Sequence, residues 1–173
     1  LQTTSSKIET TGTNTTIDIF MNSADGNVTM DDGSSIVSND SNIRIKANDI
    51  KVSSLDVGTA SISLFSLSNI SDSGDTDLDI IAAELRVFAQ NGGFGFDGTT
   101  LDAIDIDVDN ITTSVGLNGI YLNDVDDITV TNIDEVSVNN IGTAATIVSQ
   151  RTDEFQEDII AINLIGYLFL ING

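Results

Sequence analysis

The segment from residue 104 to residue 109, with the sequence IDIDVD, alternates strictly between apolar and acidic side chains. An alternation with a period of two places successive side chains on opposite faces of the chain, which is the geometry of a β-strand. Ile128–Thr131 repeats the alternation, and similar short segments separated by Asn, Asp, Gly and Ser occur along most of the chain. The pattern therefore predicts an all-β protein built from many short strands.

The spacing of the apolar anchors indicates how these strands are arranged. The anchors recur at intervals of 16 to 24 residues, at Ile43, Ile62, Ile80, Ile104, Ile120 and Val136. Repeats of this length are typical of the coils of a β-solenoid and are too short for propeller blades. With a coil of about 20 residues, the chain would make roughly eight rungs. An antiparallel sandwich remains an alternative, because many short strands joined by Gly-containing turns also describe that fold.

The composition restricts the classes of function. The chain has 27 acidic and only six basic residues, a net charge of −21, and no Pro, Cys, His or Trp. Such a charge argues against binding to nucleic acid or to anionic lipid and favours cations or basic partners. The missing Pro suits stacked strands, in which every residue donates a ladder hydrogen bond. Without His, catalysis that depends on histidine is excluded and a transition-metal site is disfavoured.

About residues 15–140 of the chain resemble a known family, and the likeness is strongest in one region. From residue 92 to residue 130 the sequence reads GGFGFDGTTLDAIDIDVDNITTSVGLNGIYLNDVDDITV, in which a Gly-x-Gly turn precedes an alternating strand and a second strand leads to Asn-Gly-Ile-Tyr and an acidic turn. This order is similar to the repeat, or shaft, region of large secreted bacterial exoproteins of the filamentous-haemagglutinin type. The resemblance implies a right-handed parallel β-helix that lies outside the cell or on its surface, with a role in adhesion or in a biofilm fibre.

Acidic side chains form the only candidate metal site. Asp105, Asp107 and Asp109 project from one face of a predicted strand, and Asp124 and Asp126 follow about one coil later. Asp97 belongs to a stretch that matches most of the calcium-binding pattern GGxGxDxUx. Carboxylates are the ligands that Ca²⁺ prefers, so these six residues are the calcium candidates. A solvated acidic face and a Gly-rich corner are the simpler alternatives.

The C-terminal part of the chain differs from the rest. We predict solenoid coils over residues 1–150 and an apolar capping or docking segment over residues 151–173. The run from Ile159 to Ile171 is too short for a membrane-spanning helix, which needs about 20 residues. Open strand edges at the ends of a solenoid favour pairing with another copy. The candidate residues for end-to-end self-association are Ile159, Ile160, Ile162, Leu164, Ile165, Tyr167, Leu168, Phe169 and Leu170.

Two further residue groups have structural interpretations. Arg44, Lys46 and Lys51 hold half of the positive charge, and such residues commonly protect a strand edge; pairing with an acidic ladder is the alternative. The phenylalanines are interpreted as an interior stack and not as a ligand platform. They are Phe20, Phe65, Phe88, Phe94 and Phe96.

The sequence therefore predicts an extracellular structural or adhesive β-helix protein that is not an enzyme. An alternative is a filament subunit whose apolar C-terminal segment docks on the open end of the next copy. A β-helix enzyme acting on polysaccharides is the third hypothesis, and it would need an acidic cluster in a groove with perturbed pKa values. Cell-surface proteins or glycans are further candidate partners.

Overall fold

The computed structural model describes residues 6–12, 14–74, 76–96, 102–141, 146–157, 159–161 and 168–172. In these ranges the regular structure consists of strands, without a helix. The strands are β1 (Lys7–Thr10), β2 (Ile17–Phe20), β3 (Val28–Thr29), β4 (Ser35–Ser38), β5 (Ile43–Ala47), β6 (Ile50–Val52), β7 (Ser54–Asp56), β8 (Ser61–Ser66), β9 (Ile70–Asp72), β10 (Ile80–Ala89), β11 (Ile104–Val115), β12 (Ile120–Asp124), β13 (Thr129–Val130), β14 (Val136–Ile141), β15 (Ile147–Asp153), β16 (Ile159–Ala161) and β17 (Leu168–Asn172).

The strands stack into three parallel ladders. The first face contains β1, β4, β7, the beginning of β10 and of β11, and then β12. The second face contains β2, β5, β8 and the remainder of β10 and β11. The third face contains β3, β6 and β9. The chain is thus a parallel β-solenoid of about five turns, which confirms the predicted fold class and excludes the antiparallel sandwich.

The register of the second face explains the buried core. Ile43 pairs with Ile62, Ile62 with Leu85, and Leu85 with Ile111, and each of these side chains is buried. In a strand every second side chain points to the same face, so the apolar positions of each coil fall on top of one another. A slip of one residue would turn the whole apolar set outward, which is why the alternation specifies the register strongly.

The predicted anchors and rung count were partly wrong. Ile43 and Ile62 stack as expected, but Ile80 lies on the first face, where it pairs with Leu55 and Ile106. Coil length also varies: on the second face it is 19 residues between Ile43 and Ile62 and 26 between Leu85 and Ile111. Longer corners and an insertion reduce the eight expected rungs to about five turns.

Side chains of Asn and Asp hold the corner before the third face. The side-chain Oδ1 of Asn27 accepts a hydrogen bond from the amide of Asp49, and Oδ1 of Asp49 accepts one from the amide of Asn69. Oδ1 of Asn69 in turn accepts from the amide of Gly93. Each coil therefore satisfies a corner amide of the next coil, where no strand partner is present.

Residues 131–157, which we call the strap, leave the solenoid and return. β13 pairs with Asn110 and Ile111, and β16 pairs with Thr113 to Val115, so both lie on the same rung beside β11. Between them, β14 and β15 form an antiparallel hairpin that packs over the second face. The strap is therefore an insertion within a single rung.

The strap runs along the solenoid axis, across the rungs. Near its C-terminal end, Nε2 of Gln156 donates to the carbonyl of Val87, 2.9 Å away, in the fourth coil. In β14, the amide of Asn139 donates to Oγ1 of Thr16, 2.7 Å away, in the first coil. Ile133, Val136 and Val138 are buried. The strap thus connects the first coil of the solenoid with a rung that is formed more than 100 residues later.

The apolar C-terminal strands continue the ladders. β16 pairs in parallel with the end of β11, and β17 pairs in parallel with β12, from Ile120–Leu168 to Asp124–Asn172. Although the composition of this segment differs from that of the other coils, β16 therefore lies on the rung of β12 and β13, and β17 lies one rung further. No helix in the described part of the chain is long and apolar enough to span a membrane.

Candidate functional site

The outward side chains of the second face form three columns that follow the solenoid axis. The first includes Asn42, Ser61 and Glu84, and the third is aromatic. The middle column contains Asp18, Arg44, Ser63, Arg86 and Thr112, one from each successive coil. The strap covers the middle column, so its charges are buried: Arg44 is 5% and Arg86 8% exposed.

A network of ion pairs connects the strap to the middle column. The carboxylate of Asp153 lies 3.0 Å from Nη2 of Arg44 and 3.9 Å from Nη1 of Arg86, and it accepts a hydrogen bond of 2.7 Å from Oγ of Ser63. Asp18 pairs with Arg44 at 3.1 Å and with Arg151 of the strap at 2.6 Å. All three arginines of the chain take part in this network.

Arg86 shows the balance of forces in the network. Burial lowers the pKa of its guanidinium from the ordinary value, and Arg44 lowers this pKa further, whereas the carboxylates of Asp153 and Glu154 raise it. Nε of Arg86 also donates to the backbone carbonyl of Glu154, 3.1 Å away. A buried charge is tolerated only when it is paired and hydrogen-bonded, so Asp153 is required wherever Arg44 and Arg86 are buried. The prediction that Arg44 protects a strand edge was therefore wrong.

The third column forms an aromatic stripe on the outside of the solenoid. Phe20, Lys46, Phe65 and Phe88 occupy equivalent positions of four successive coils and are all half-buried. The rings of Phe65 and Phe88 are stacked with centroids 4.8 Å apart, and the ammonium of Lys46 lies 4.2 Å from the centroid of Phe65. A cation over a ring face is attracted by the ring quadrupole.

The stripe corrects the interpretation of the phenylalanines as an interior stack. Phe94 is fully buried, as predicted, whereas Phe20, Phe65 and Phe88 point outward and Phe96 is only half-buried. The strand parity could have revealed this, because Phe65 is an odd number of positions from the buried Ile62 and Leu64.

A groove separates the strap from one end of the stripe. It has a volume of about 390 Å³ and is lined by Arg86, Phe88, Ser114, Phe155, Gln156 and Glu157. Phe155 of the strap is 48% exposed there. A second, polar groove of about 440 Å³ lies on the other side of the hairpin, between Thr16, Asn42 and Gln150. The strap is thus flanked by one aromatic and one polar groove.

The predicted calcium ligands do not share one surface. Asp105 and Asp107 alternate with the buried Ile104, Ile106 and Val108, and Asp105 accepts a hydrogen bond of 2.6 Å from Nδ2 of Asn123. Asp124, by contrast, pairs with Ile106 and is only 2% exposed, so it occupies an inward position. Asp109 and Asp126 are exposed, and Asp97 lies outside the described residues.

Asp124 is an acid at an apolar position. Burial raises the pKa of its carboxyl, and the charges of Asp126 and Asp107 raise it further, against the backbone amides of Val108 and Asp126. Among the described residues, no group of three or more acidic side chains converges as a metal site would. The calcium site stays a prediction.

The candidate self-association residues fall in and between the last two strands. Ile159 and Ile160 belong to β16, and Leu168, Phe169 and Leu170 belong to β17. Their backbones pair with β11 and β12 of the same chain, which leaves only the opposite edge of each strand for another molecule. Ile162, Leu164, Ile165 and Tyr167 lie outside the described residues.

The fold and these surfaces define a parallel β-solenoid with a longitudinal strap. No protein-family model matches the chain, and neither a curated protein nor a solved structure shows significant similarity to it. The functional argument therefore rests on the geometry and on the resemblance of residues 92–130.

Proposed function

We propose that this chain is a stiff structural module of an adhesive fibre on the outside of a bacterial cell. The observation that carries the proposal is the strap, which crosses the rungs of a continuous parallel solenoid and joins the first coil to a rung formed far later. Contacts in a simple solenoid connect only neighbouring coils. An axial strap adds long-range contacts, which suit a part that resists bending and fraying.

The distribution of charge and the resemblance of residues 92–130 also support a shaft. The basic side chains that the strap covers are neutralised by ion pairs, whereas Asp109, Asp126 and other acidic residues are exposed. A surface with a strong net charge of one sign keeps a protein soluble and opposes lateral clumping. The shaft region of haemagglutinin-type exoproteins is the family context that the sequence suggests.

Two experiments test the shaft. Antibodies to the folded chain should label intact native cells without permeabilisation, and beads coated with the chain should adhere to surfaces that the native cells colonise. Labelling only after permeabilisation would contradict the extracellular location. Coated beads that adhere no better than albumin-coated beads would contradict the adhesive role.

A filament subunit is the second candidate, because within the described residues the outer edge of the first coil is unpaired and apolar. Within the described residues β1, β2 and β3 each pair on one side only. Ile8 is 51% exposed, beside a recess of about 210 Å³ that Ile19, Val28, Met30 and Ile36 line. Such an edge is a template for the strands of another copy.

Negative-stain electron microscopy distinguishes the two candidates. Long uniform fibres that disappear in Ile8→Glu and persist in Leu117→Glu would favour end-to-end stacking, since Leu117 is similarly exposed (53%) away from the first coil. Single short rods, in EDTA and in millimolar Ca²⁺ alike, would contradict it. Fibres only with Ca²⁺ would assign assembly to the acidic residues.

A further inference from the structure

One edge of the strap hairpin is hydrogen-bonded to the solenoid, and the other edge is open. On the outer edge of β14, the carbonyl of Ser137 accepts a hydrogen bond from Asn42 and the amide of Asn139 donates to Thr16. In an antiparallel pair, alternate residues direct their backbone groups toward the partner and away from it. Ser137 pairs with Thr152 and Asn139 with Gln150, so these two residues of β15 direct their N–H and C=O groups away from β14.

The open edge of β15 borders the aromatic stripe. β14 lies over the first column, and Arg151 and Asp153 of β15 bind the middle column, so the far side of β15 faces the third. The guanidinium of Arg151 lies 4.5 Å from the ring centroid of Phe20, which fixes this placement. Within the described residues, β15 pairs with β14 alone.

The open edge and the stripe together have the dimensions of a strand-binding groove. Phe20, Lys46, Phe65 and Phe88 span three steps between coils, or about 14 Å at roughly 4.8 Å per step. At about 3.3 Å per residue, this length accommodates a strand of four or five residues. Phe155 and Gln156 close the groove at its far end. An open strand edge beside an apolar floor is the arrangement that β-strand addition uses.

A second copy of β15 does not fit this groove. Two identical antiparallel strands are related by a twofold axis perpendicular to their sheet, and this axis would place both solenoids on the same side of the sheet, where they would overlap. The occupant must therefore be an extended segment with no folded domain attached on the side of the sheet where the solenoid lies.

The charge of the groove defines the chemistry of the occupant. Along β15, residues 147–152 contain no acidic side chain and Arg151 is partly exposed, whereas Glu157 lines only the far end of the groove beside Phe155. Lys46 lies between Phe20 and Phe65 in the floor. We propose that the open edge of β15 and the stripe of Phe20, Lys46, Phe65 and Phe88 bind an extended peptide strand of another protein. The side chains of this strand that face the stripe are one carboxylate and an apolar side chain before and after it.

Fluorescence anisotropy with a labelled, end-capped heptapeptide tests the proposal at physiological salt. In the probe, valine, aspartate and valine alternate with threonine. We expect saturable binding. Binding should be lost when the backbone nitrogens along the peptide edge that faces β15 are N-methylated, since this change removes only the hydrogen-bond donors of the ladder. A probe with lysine in place of aspartate should bind at least about fivefold more weakly, which corresponds to roughly 1 kcal/mol.

Matched variants locate the site. Gln150→Pro should abolish binding, because proline lacks the N–H that residue 150 directs toward the groove. The hairpin should tolerate this change, because that N–H does not face β14. The control Gln150→Ala keeps the N–H and should bind normally. Lys46→Gln should weaken binding about fivefold, whereas Lys51→Gln, the same change on the third face, should not. No binding to the wild type, equal binding of the N-methylated probe, or equal effects of the two lysine variants would overturn the proposal. Should Gln150→Pro not fold, the N-methylated probe on the wild-type protein decides.

Discussion

Asp153 and Arg44 form a buried ion pair with Oδ1 and Nη2 3.0 Å apart, although 109 positions separate them in the sequence. Each side chain is less than one-tenth exposed. The pair joins the strap to the second coil, and Ser63 and Arg86 extend it to the third and fourth. This contact is the clearest sign that the strap is part of the folded solenoid and not an appended loop.

Removing the carboxylate of Asp153 should destabilise the protein strongly. Asp153→Asn leaves Arg44 and Arg86 buried with insufficient counter-charge, and the loss of one partner of a buried pair costs about 3–5 kcal/mol. Urea denaturation measures the free energy of unfolding. Glu154→Gln is the control, because the side chain of Glu154 is exposed and its charge acts on Arg86 less strongly than that of Asp153, while the hydrogen bond from Arg86 goes to the backbone carbonyl. Equal stabilities of the two variants would show that the pair contributes nothing.

Asp124 should make stability fall as the pH rises. Its pKa is raised in the folded state, so between the ordinary value of 3.8 and the raised value the folded state binds more protons than the unfolded state. The contribution of Asp124 is therefore most favourable at low pH and is lost as the pH rises through the folded pKa. Asp124→Asn should increase the melting temperature at neutral pH and flatten this part of the pH profile.

The control for Asp124 is Asp109→Asn, which removes the same charge from an exposed position. Thermal unfolding of both variants, followed by circular dichroism, is measured from the ordinary pKa of 3.8 up to neutral pH. A profile of Asp124→Asn that parallels the wild type would contradict the assignment of the raised pKa to this residue.

Gly95 should tolerate alanine less well than Gly33. Both have a positive φ, +82° and +77°, which costs a residue with a side chain about 1–2 kcal/mol. A Cβ at Gly33 meets open space, whereas at Gly95 it would collide with the backbone carbonyl of Tyr121 in the next coil. In urea denaturation we expect the free energy of unfolding of Gly33→Ala to fall only by this conformational cost. The free energy of unfolding of Gly95→Ala should fall clearly further. Equal losses would mean that the coils can separate at this corner without cost.

Removal of the strap should uncouple the coils. A variant in which one residue joins Val130 to Ile159 keeps both strands on their rung, because their partners Ile111 and Thr113 are only two positions apart. Hydrogen exchange should then become faster in β2 than in β10, whereas the intact protein should protect both to a similar extent. Unchanged protection of β2 would contradict a stabilising role of the strap.

The sequence predicts the ladders well and the strap poorly. Alternation is visible in β5 (Ile43–Ala47) and β6 (Ile50–Val52), because the inward and outward environments of a solenoid strand differ at every step. The alternation gives no information on how long a corner is, so Ile80 was assigned to the wrong face. Alternation does not predict β15, because five of its seven residues are exposed on the strap and follow no buried pattern.

The site was harder to predict than the fold for a related reason. The burial of Arg44 depends on Asp153, and only the three-dimensional path of the strap brings the two together. The acidic residues after Asp109 were expected on one surface, but the register places Asp124 over Ile106, inside the solenoid. Partners that are 18 and 109 positions apart in the sequence set these two outcomes, and local patterns contain no such information.

The insertion of the strap within a late rung also imposes an order on folding. A chain that emerges from a ribosome or a secretion pore with its N-terminus first presents β2 long before Arg151 and Asn139 exist to bind Asp18 and Thr16. The first coils must therefore wait, with Arg44 still solvated, until more than 100 further residues have followed. The last step then buries the charges of Arg44 and Asp153 and ties β2 to the strap, so rungs formed without residues 131–157 would lack this constraint on the first described coil.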